Sequence, residues 1–176
     1  IIADGEQVLA DNADGASTAF TFNGFQKDEG KFASEHYYLV EWRNHKGVDT
    51  GLAHIKRGDS LMKYDGGMVV WYVDDKYSDN WTGIHPGEGY LGVVDADQGA
   101  IKWSDNSIAS TRFQIHDAAF RLTKPDKMFV DYTSLTGLTM TDKDTKAYPV
   151  FDDSKNYLNP HLPDAGRNIP NYGVKI

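Results

Sequence analysis

An all-β fold is what this sequence predicts: an antiparallel β-sandwich of jelly-roll kind, with long irregular loops and a C-terminal tail that wraps the sheets. Three observations carry the expectation. Of the 26 acidic residues, 21 are Asp and only 5 are Glu, and 17 Gly stand beside them. Asp and Gly belong to turns and caps, whereas Glu belongs to helices. Short runs with period-two apolar alternation recur between turn signals, and no window of about 11 residues holds a 3.6-residue stripe.

Taken in order, the first predicted strand is Ser17 to Phe25, with Phe20 and Phe22 two apart. The second, Tyr37 to Arg43, sets Tyr38, Val40 and Trp42 on one face and Tyr37, Leu39, Glu41 and Arg43 on the other. Gly67 to Asp74 is apolar on both faces, as a central strand covered on both sides would be. Gly89 to Asp95 supplies Tyr90, Leu91, Val93 and Val94. Shorter runs follow at Arg112–Ile115, Ala118–Thr123, Met128–Tyr132, Gly137–Met140, Ala147–Phe151 and Tyr172–Ile176. Asp14-Gly15, Asn23-Gly24, Asp65-Gly66-Gly67, Pro86-Gly87 and Lys124-Pro125-Asp126 punctuate them. Thr141 to Asn171 holds four of the six prolines and few apolar residues, and reads as an ordered tail lying over the sheet.

The 176 residues read as one module, residues 1–176, without repeat, linker or low-complexity tract. The start, Ile1-Ile2-Ala3-Asp4-Gly5, has no initiator Met and no basic or apolar leader, so a piece of a longer protein is expected. A net charge of −8 with only five Arg argues against nucleic acid, whose phosphates need clustered Lys and Arg. The longest apolar run, Met68 to Val73, is far short of the roughly 20 residues that span a bilayer, so no membrane partner is expected. Without cysteine there is no disulfide framework, no Cys-ligated zinc and no thiol nucleophile.

Catalytic motifs are scarce. His36, His45, His54, His85, His116 and His161 show no H-E-x-x-H or other spacing that sets two zinc ligands on one helical face. No G-x-S-x-G elbow occurs, and the glycines of Gly83 to Gly89 lack the Lys-Ser/Thr of a phosphate loop. Glu41 and Glu88 are acids beside aromatic strands. With Trp42, Trp71, Trp81 and Trp103 as stacking platforms, they define an alternative reading, a carbohydrate-binding module or glycosidase. A structural interaction domain without ligand is a third. Calcium is the more natural use of so much Asp, because hard cations gather six to eight oxygens on tight loops. Asp95 and Asp97 before Gly99, Asp74 and Asp79 with Asp75 and Asn80, and Asp152 and Asp153 with Asn156 are the candidate ligand clusters.

Three segments in order carry a family resemblance. His36-Tyr37-Tyr38-Leu39-Val40-Glu41-Trp42-Arg43-Asn44 runs into Gly47-Val48-Asp49-Thr50-Gly51-Leu52. Gly67-Met68-Val69-Val70-Trp71-Tyr72-Val73-Asp74 follows, with Asp79-Asn80 behind it. The third is His85-Pro86-Gly87-Glu88-Gly89-Tyr90-Leu91-Gly92-Val93-Val94-Asp95-Ala96-Asp97. From about residue 18 to the end, the chain resembles the all-β module downstream of the catalytic domain in immune inhibitor A-type secreted zinc metallopeptidases. The tail, with Phe151-Asp152-Asp153-Ser154, Pro163 to Arg167 and Gly173 to Ile176, is similar to that group's C-terminal end. The resemblance implies a secreted, extracellular setting, calcium stabilisation, and zinc held only in a catalytic domain outside this chain. No position matches the zinc motif, so no catalytic residue is implied here. The implied role is accessory: the module supports the peptidase domain of its own polypeptide, and protein substrates are further implied partners.

Overall fold

The computed structural model describes residues 19–23, 36–141, 145–159, 162 and 164–176. Four antiparallel strands form the main sheet in the order β1-β2-β5-β6: β1 Ala19–Asn23, β2 His36–Arg43, β5 Gly67–Asp74 and β6 Leu91–Val94. The β-branched and aromatic content of β2 and β5 suits a pleated, buried surface. Their register sets Val40 opposite Val70, and Val70 opposite Val94. The all-β antiparallel class is thus as expected, and β5 matches its predicted span residue for residue. β5 is buried almost throughout, and it owes this to its place between two partner strands.

One face of the sheet carries Tyr38, Val40, Met68, Val70, Tyr72 and Val94 into the main core. The tail closes that face as the sequence predicts. Phe151 and Tyr157 are buried in the same core, and Ile169, Val174 and Ile176 pack against it. Phe151 stands edge-on to both Tyr38 and Phe120, with ring centroids 5.0 and 5.6 Å apart. Among the described residues, then, this face meets an irregular tail, and the remaining strands form two small hairpins. These are β3 Ile55–Arg57 with β4 Ser60–Met62, and β7 Phe129–Tyr132 with β8 Leu138–Thr141. They enclose a second core of Met62, Ile101, Phe113, Met128, Val130 and Met140.

Several expected strands take other forms. Arg112–Ile115 lies in a helical turn, α1 Thr111–Gln114, that continues into a 3₁₀ turn over Ile115–Asp117. A four-residue apolar run does not distinguish strand from helix by period. Here Gln114 decides: its buried amide donates to the carbonyls of Ile101 and Ala109 and accepts from Ile101 N–H. Ala118–Thr123 contributes only the bridge between Phe120 and Met68, whose N–H groups each donate to the other's carbonyl. At the facing Gly67, φ is +141° and a Cβ would lie 2.6 Å from the Phe120 carbonyl oxygen, so the bridge requires glycine. Ala147–Phe151 and Tyr172–Ile176 are not strands. They meet where Phe151 and Ile176 exchange both backbone hydrogen bonds. The first predicted strand is seen over Ala19–Asn23, and its remaining residues lie outside the described ones. A second short helical turn, α2 Thr133–Thr136, joins β7 to β8.

Candidate functional site

The Asp excess resolves into a repeated local device. The Oδ1 atoms of Asp74, Asp79, Asp95, Asp97, Asp105, Asp131 and Asp152 each accept the backbone N–H two residues on, at 2.7 to 3.1 Å. Asn44, Asn156 and Asn171 accept in the same way, at 2.9 to 3.2 Å. A carboxylate one methylene from the backbone reaches that donor, whereas Glu, one methylene longer, does not mimic the turn.

Two of these turns are linked and buried. β6 ends at Val94 and carries Asp95 and Asp97 into the interior, where Asp95 is fully buried and Asp97 nearly so. Asp97 N–H donates to Asp95 Oδ1, and Gly99 N–H to Asp97 Oδ1. Ala96 N–H donates to Ala118 O at 3.2 Å, which places the segment beside the 3₁₀ turn bearing buried Asp117. The Gln98 side-chain amide donates to Asp95 O, while its Oε1 is buried and accepts no hydrogen bond. Tyr148 registers the charge around it: burial pushes its phenol above the ordinary value, and Asp97, Asp117 and Asp95 push in the same direction. Asp95 and Asp97 stand out in the sequence by their spacing, whereas Asp117 and Gln98 do not. The one signal for Asp117 was its place beside a His after a short apolar run. Among the described residues, no three His, Asp or Glu side chains are arranged to hold a metal ion by themselves.

The other candidate ligands lie apart and serve the backbone. Asp153 is buried, and its carboxylate accepts the N–H groups of Tyr172, Gly173 and Val174 at 2.9, 3.1 and 3.0 Å. It thereby anchors the end of the tail. Asp152 accepts from Ser154 N–H and Oγ–H and pairs with Lys175 at 3.0 Å. The Ser154 hydroxyl, then the Lys175 ammonium, hold its carboxyl down at about 2. Asp79 lies in the exposed connection before β6, with His85 Nε2 3.0 Å away, and Asp74 closes β5.

Glu41 sits in β2 within a network of its own. Arg43 donates Nε–H and Nη2–H to its two oxygens, and the Trp71 indole donates to Oε2 at 3.0 Å. Glu88 lies in the connection before β6. Its carbonyl accepts from Arg167 Nη1 at 2.8 Å, and Asn168 is 3.5 Å from its carboxylate. Trp42 and Trp103 pack against the two cores, whereas Trp81 is exposed. A cavity of about 210 Å³ lies against the sheet's other face, between Val69, Trp71, Val93, Ala118 and Ala119, with Asp65 and His116 in its wall. Of the histidines, His161 lies outside the described residues. His116 is buried, and His36, His45, His54 and His85 sit on separate elements beside Tyr172, Tyr64 O, Thr50 O and Asp79 respectively.

One further residue escaped sequence reading. Arg167 is buried, donates to the carbonyls of Glu88 and Leu91, and lies flat on Gly92 of β6. A glycine inside a strand pattern is the trace such a contact leaves.

These features define a β-rich module whose acidic residues shape turns and whose tail is sewn back onto its sheet. The chain belongs to the family described as Immune inhibitor A-like metallopeptidase, VEG domain, which matches residues 32–176. It is 48% identical over 174 residues to the Pre-pro-metalloprotease PrtV of two Vibrio cholerae O1 strains, covering 98% of this chain and 19% of that protein. It is 43% identical over 180 residues to Immune inhibitor A of Bacillus thuringiensis subsp. alesti, covering all of this chain and 25% of the relative. The chain therefore spans about a fifth to a quarter of the length of these relatives. Among the described residues, no helix is long and apolar enough to cross a membrane.

Proposed function

We propose that this chain is a non-catalytic accessory module of a larger, secreted zinc metallopeptidase that degrades host proteins. The observation that carries the reading is the family match over residues 32–176, set in relatives four to five times the length of the matching part. The pre-pro designation of the Vibrio relative supports a secreted setting. Proteolysis then belongs to a zinc site elsewhere in the polypeptide, and this module contributes structure and contacts to it. The direct test is to incubate the isolated chain with casein and zinc. No hydrolysis is expected, and cleavage abolished by a chelator overturns the reading.

We also propose that calcium stabilises the module at the Asp95–Asp97 turn. Asp95 and Asp97 set two buried carboxylates in one turn, with buried Asp117 on the neighbouring 3₁₀ turn, and carboxylate oxygens are what a hard cation binds. The Gln98 Oε1, buried and accepting no hydrogen bond, is an oxygen of the kind calcium binds. Backbone carbonyls and water supply the remaining ligands of a cation that takes six to eight oxygens. Calcium at a hundredfold excess over Kd stabilises the native state by about 2.7 kcal/mol. For a chain of this size that raises Tm by about 5–10 °C. Asp97→Asn should lose the response. Identical melting curves in EDTA and in millimolar calcium refute the site.

A further inference from the structure

The connection between β5 and β6 shows apolar side chains on an ordered frame. Trp81 is 67% exposed, Ile84 65% and Tyr90 45%. The frame is held from within. Asp79 Oδ1 accepts from Trp81 N–H, and Asp79 O accepts from Tyr90 N–H at 2.8 Å. Asn80 Oδ1 accepts from Leu91 N–H at 2.8 Å, the first residue of β6. Ile84 N–H donates to Trp81 O at 3.1 Å, which binds the two exposed residues into one turn. From below, Arg167 donates to Glu88 O and Asn168 N–H to Gly87 O. The Trp81 indole lies beside Gly83, where a Cβ would be 3.0 Å from its Nε1. The side-chain oxygens of Asp79 and Asn80 fix the backbone of this connection, and its largest apolar side chains stand exposed beside them. Exposed polar residues Asp75, Lys76 and Ser78 flank it, giving an apolar centre with a charged rim.

We infer that the Trp81–Ile84–Tyr90 surface docks against another domain of the same polypeptide. The inference rests on the accessory-module reading and names the surface that reading leaves open. What points to this occupant is length: the relatives continue for three to four times this chain's length beyond the matching segment. A domain in such a chain commonly buries 600–1,500 Å² against its neighbour. Trp and Tyr are the side chains that anchor such contacts, and a frame ordered in advance reduces the entropy cost of forming one.

Hydroxyl-radical footprinting of the isolated chain and of the full-length polypeptide tests the proposal. Oxidation of Trp81 should fall by about fivefold or more in the full-length protein, as expected for a side chain passing from 67% exposure to an interface centre. Leu122 and Leu135, 86% and 68% exposed on other elements, should react equally in both. Trp81→Ser with Ile84→Ser should leave the isolated chain's melting unchanged and abolish the protection of Tyr90 in the full-length protein. Protection of Leu122 or Leu135 with Trp81 still reactive overturns the proposed surface while leaving the accessory reading intact. No protection anywhere in the chain overturns both docking and structural support of the peptidase. Saturable protection of Trp81 in the isolated chain by methyl hexosides, or by its own dimerisation, overturns the proposal in favour of a sugar or a second copy.

Discussion

Replacing Gly92 by alanine tests how the tail is locked to the sheet. A Cβ at this position of β6 would lie 1.6 Å from Arg167 Nε, 1.9 Å from Cζ and 2.0 Å from Nη2. No small adjustment accommodates such overlaps, so the guanidinium has to leave. It then gives up its bonds to the carbonyls of Glu88 and Leu91, at 2.8 and 3.1 Å. Hydrogen bonds to a charged group contribute about 1.5–3 kcal/mol each, and part of this returns when the guanidinium is rehydrated. The net cost of Gly92→Ala is therefore about 3–4 kcal/mol, seen as a fall in Tm of about 10 °C. Arg167→Ala should cost about 3 kcal/mol, since it leaves two part-buried carbonyls without these donors and opens a cavity. In the double variant the alanine methyl occupies space the guanidinium vacated. The total should then stay near about 3–4 kcal/mol, with a coupling of about 3 kcal/mol. Urea denaturation of the four proteins measures this cycle. Additive costs, or a Gly92→Ala protein within about 0.5 kcal/mol of the original, would refute the packing of Arg167 on Gly92.

Two further outcomes concern the tail. Asp153→Asn turns an acceptor of three N–H groups into one with a donor facing Tyr172 or Gly173 and Val174. It should cost about 2 kcal/mol and speed amide exchange selectively at residues 172–174; unchanged exchange there would show that the carboxylate does not hold them. Asp152, whose folded carboxyl is held at about 2 against an ordinary 3.8, should titrate in the NMR spectrum near the lower value. Because the folded value is the depressed one, its stabilising contribution is complete above 3.8 and is lost as pH falls through about 2. Ser154→Ala should move the midpoint up toward the ordinary value, and a wild-type midpoint already near 3.8 would refute the hydroxyl's role.

The main sheet was legible wherever the chain repeats with period two or stays apolar for a whole strand, as in His36–Arg43 and Gly67–Asp74. The hairpin Ile55–Met62 was not. Its three-residue strands contain Lys, Arg and Ser, and they are held by pairing and by contact with β7 rather than by their own pattern. The helical turn at Arg112–Ile115 is not legible because a run so short carries no period, and it follows from the Gln114 amide reaching Ile101 and Ala109. At the candidate site, Asp95 and Asp97 could be found because they are two residues apart before a glycine. Asp117 could not, because only the Ala96–Ala118 hydrogen bond brings its turn beside that segment.

By itself, then, the sequence determined the all-β class, the turn-building use of Asp, the tail, and the family to which the motifs point. Those are properties of local pattern: side-chain period, and the reach of a short carboxylate to the next turn's N–H. Tertiary structure alone decided which carboxylates are buried together, which instead hold the tail, and why Gly67 and Gly92 are glycine. Each of those depends on what lies across a contact from a distant part of the chain, and a burial or a backbone approach of that kind leaves little trace in neighbouring residues.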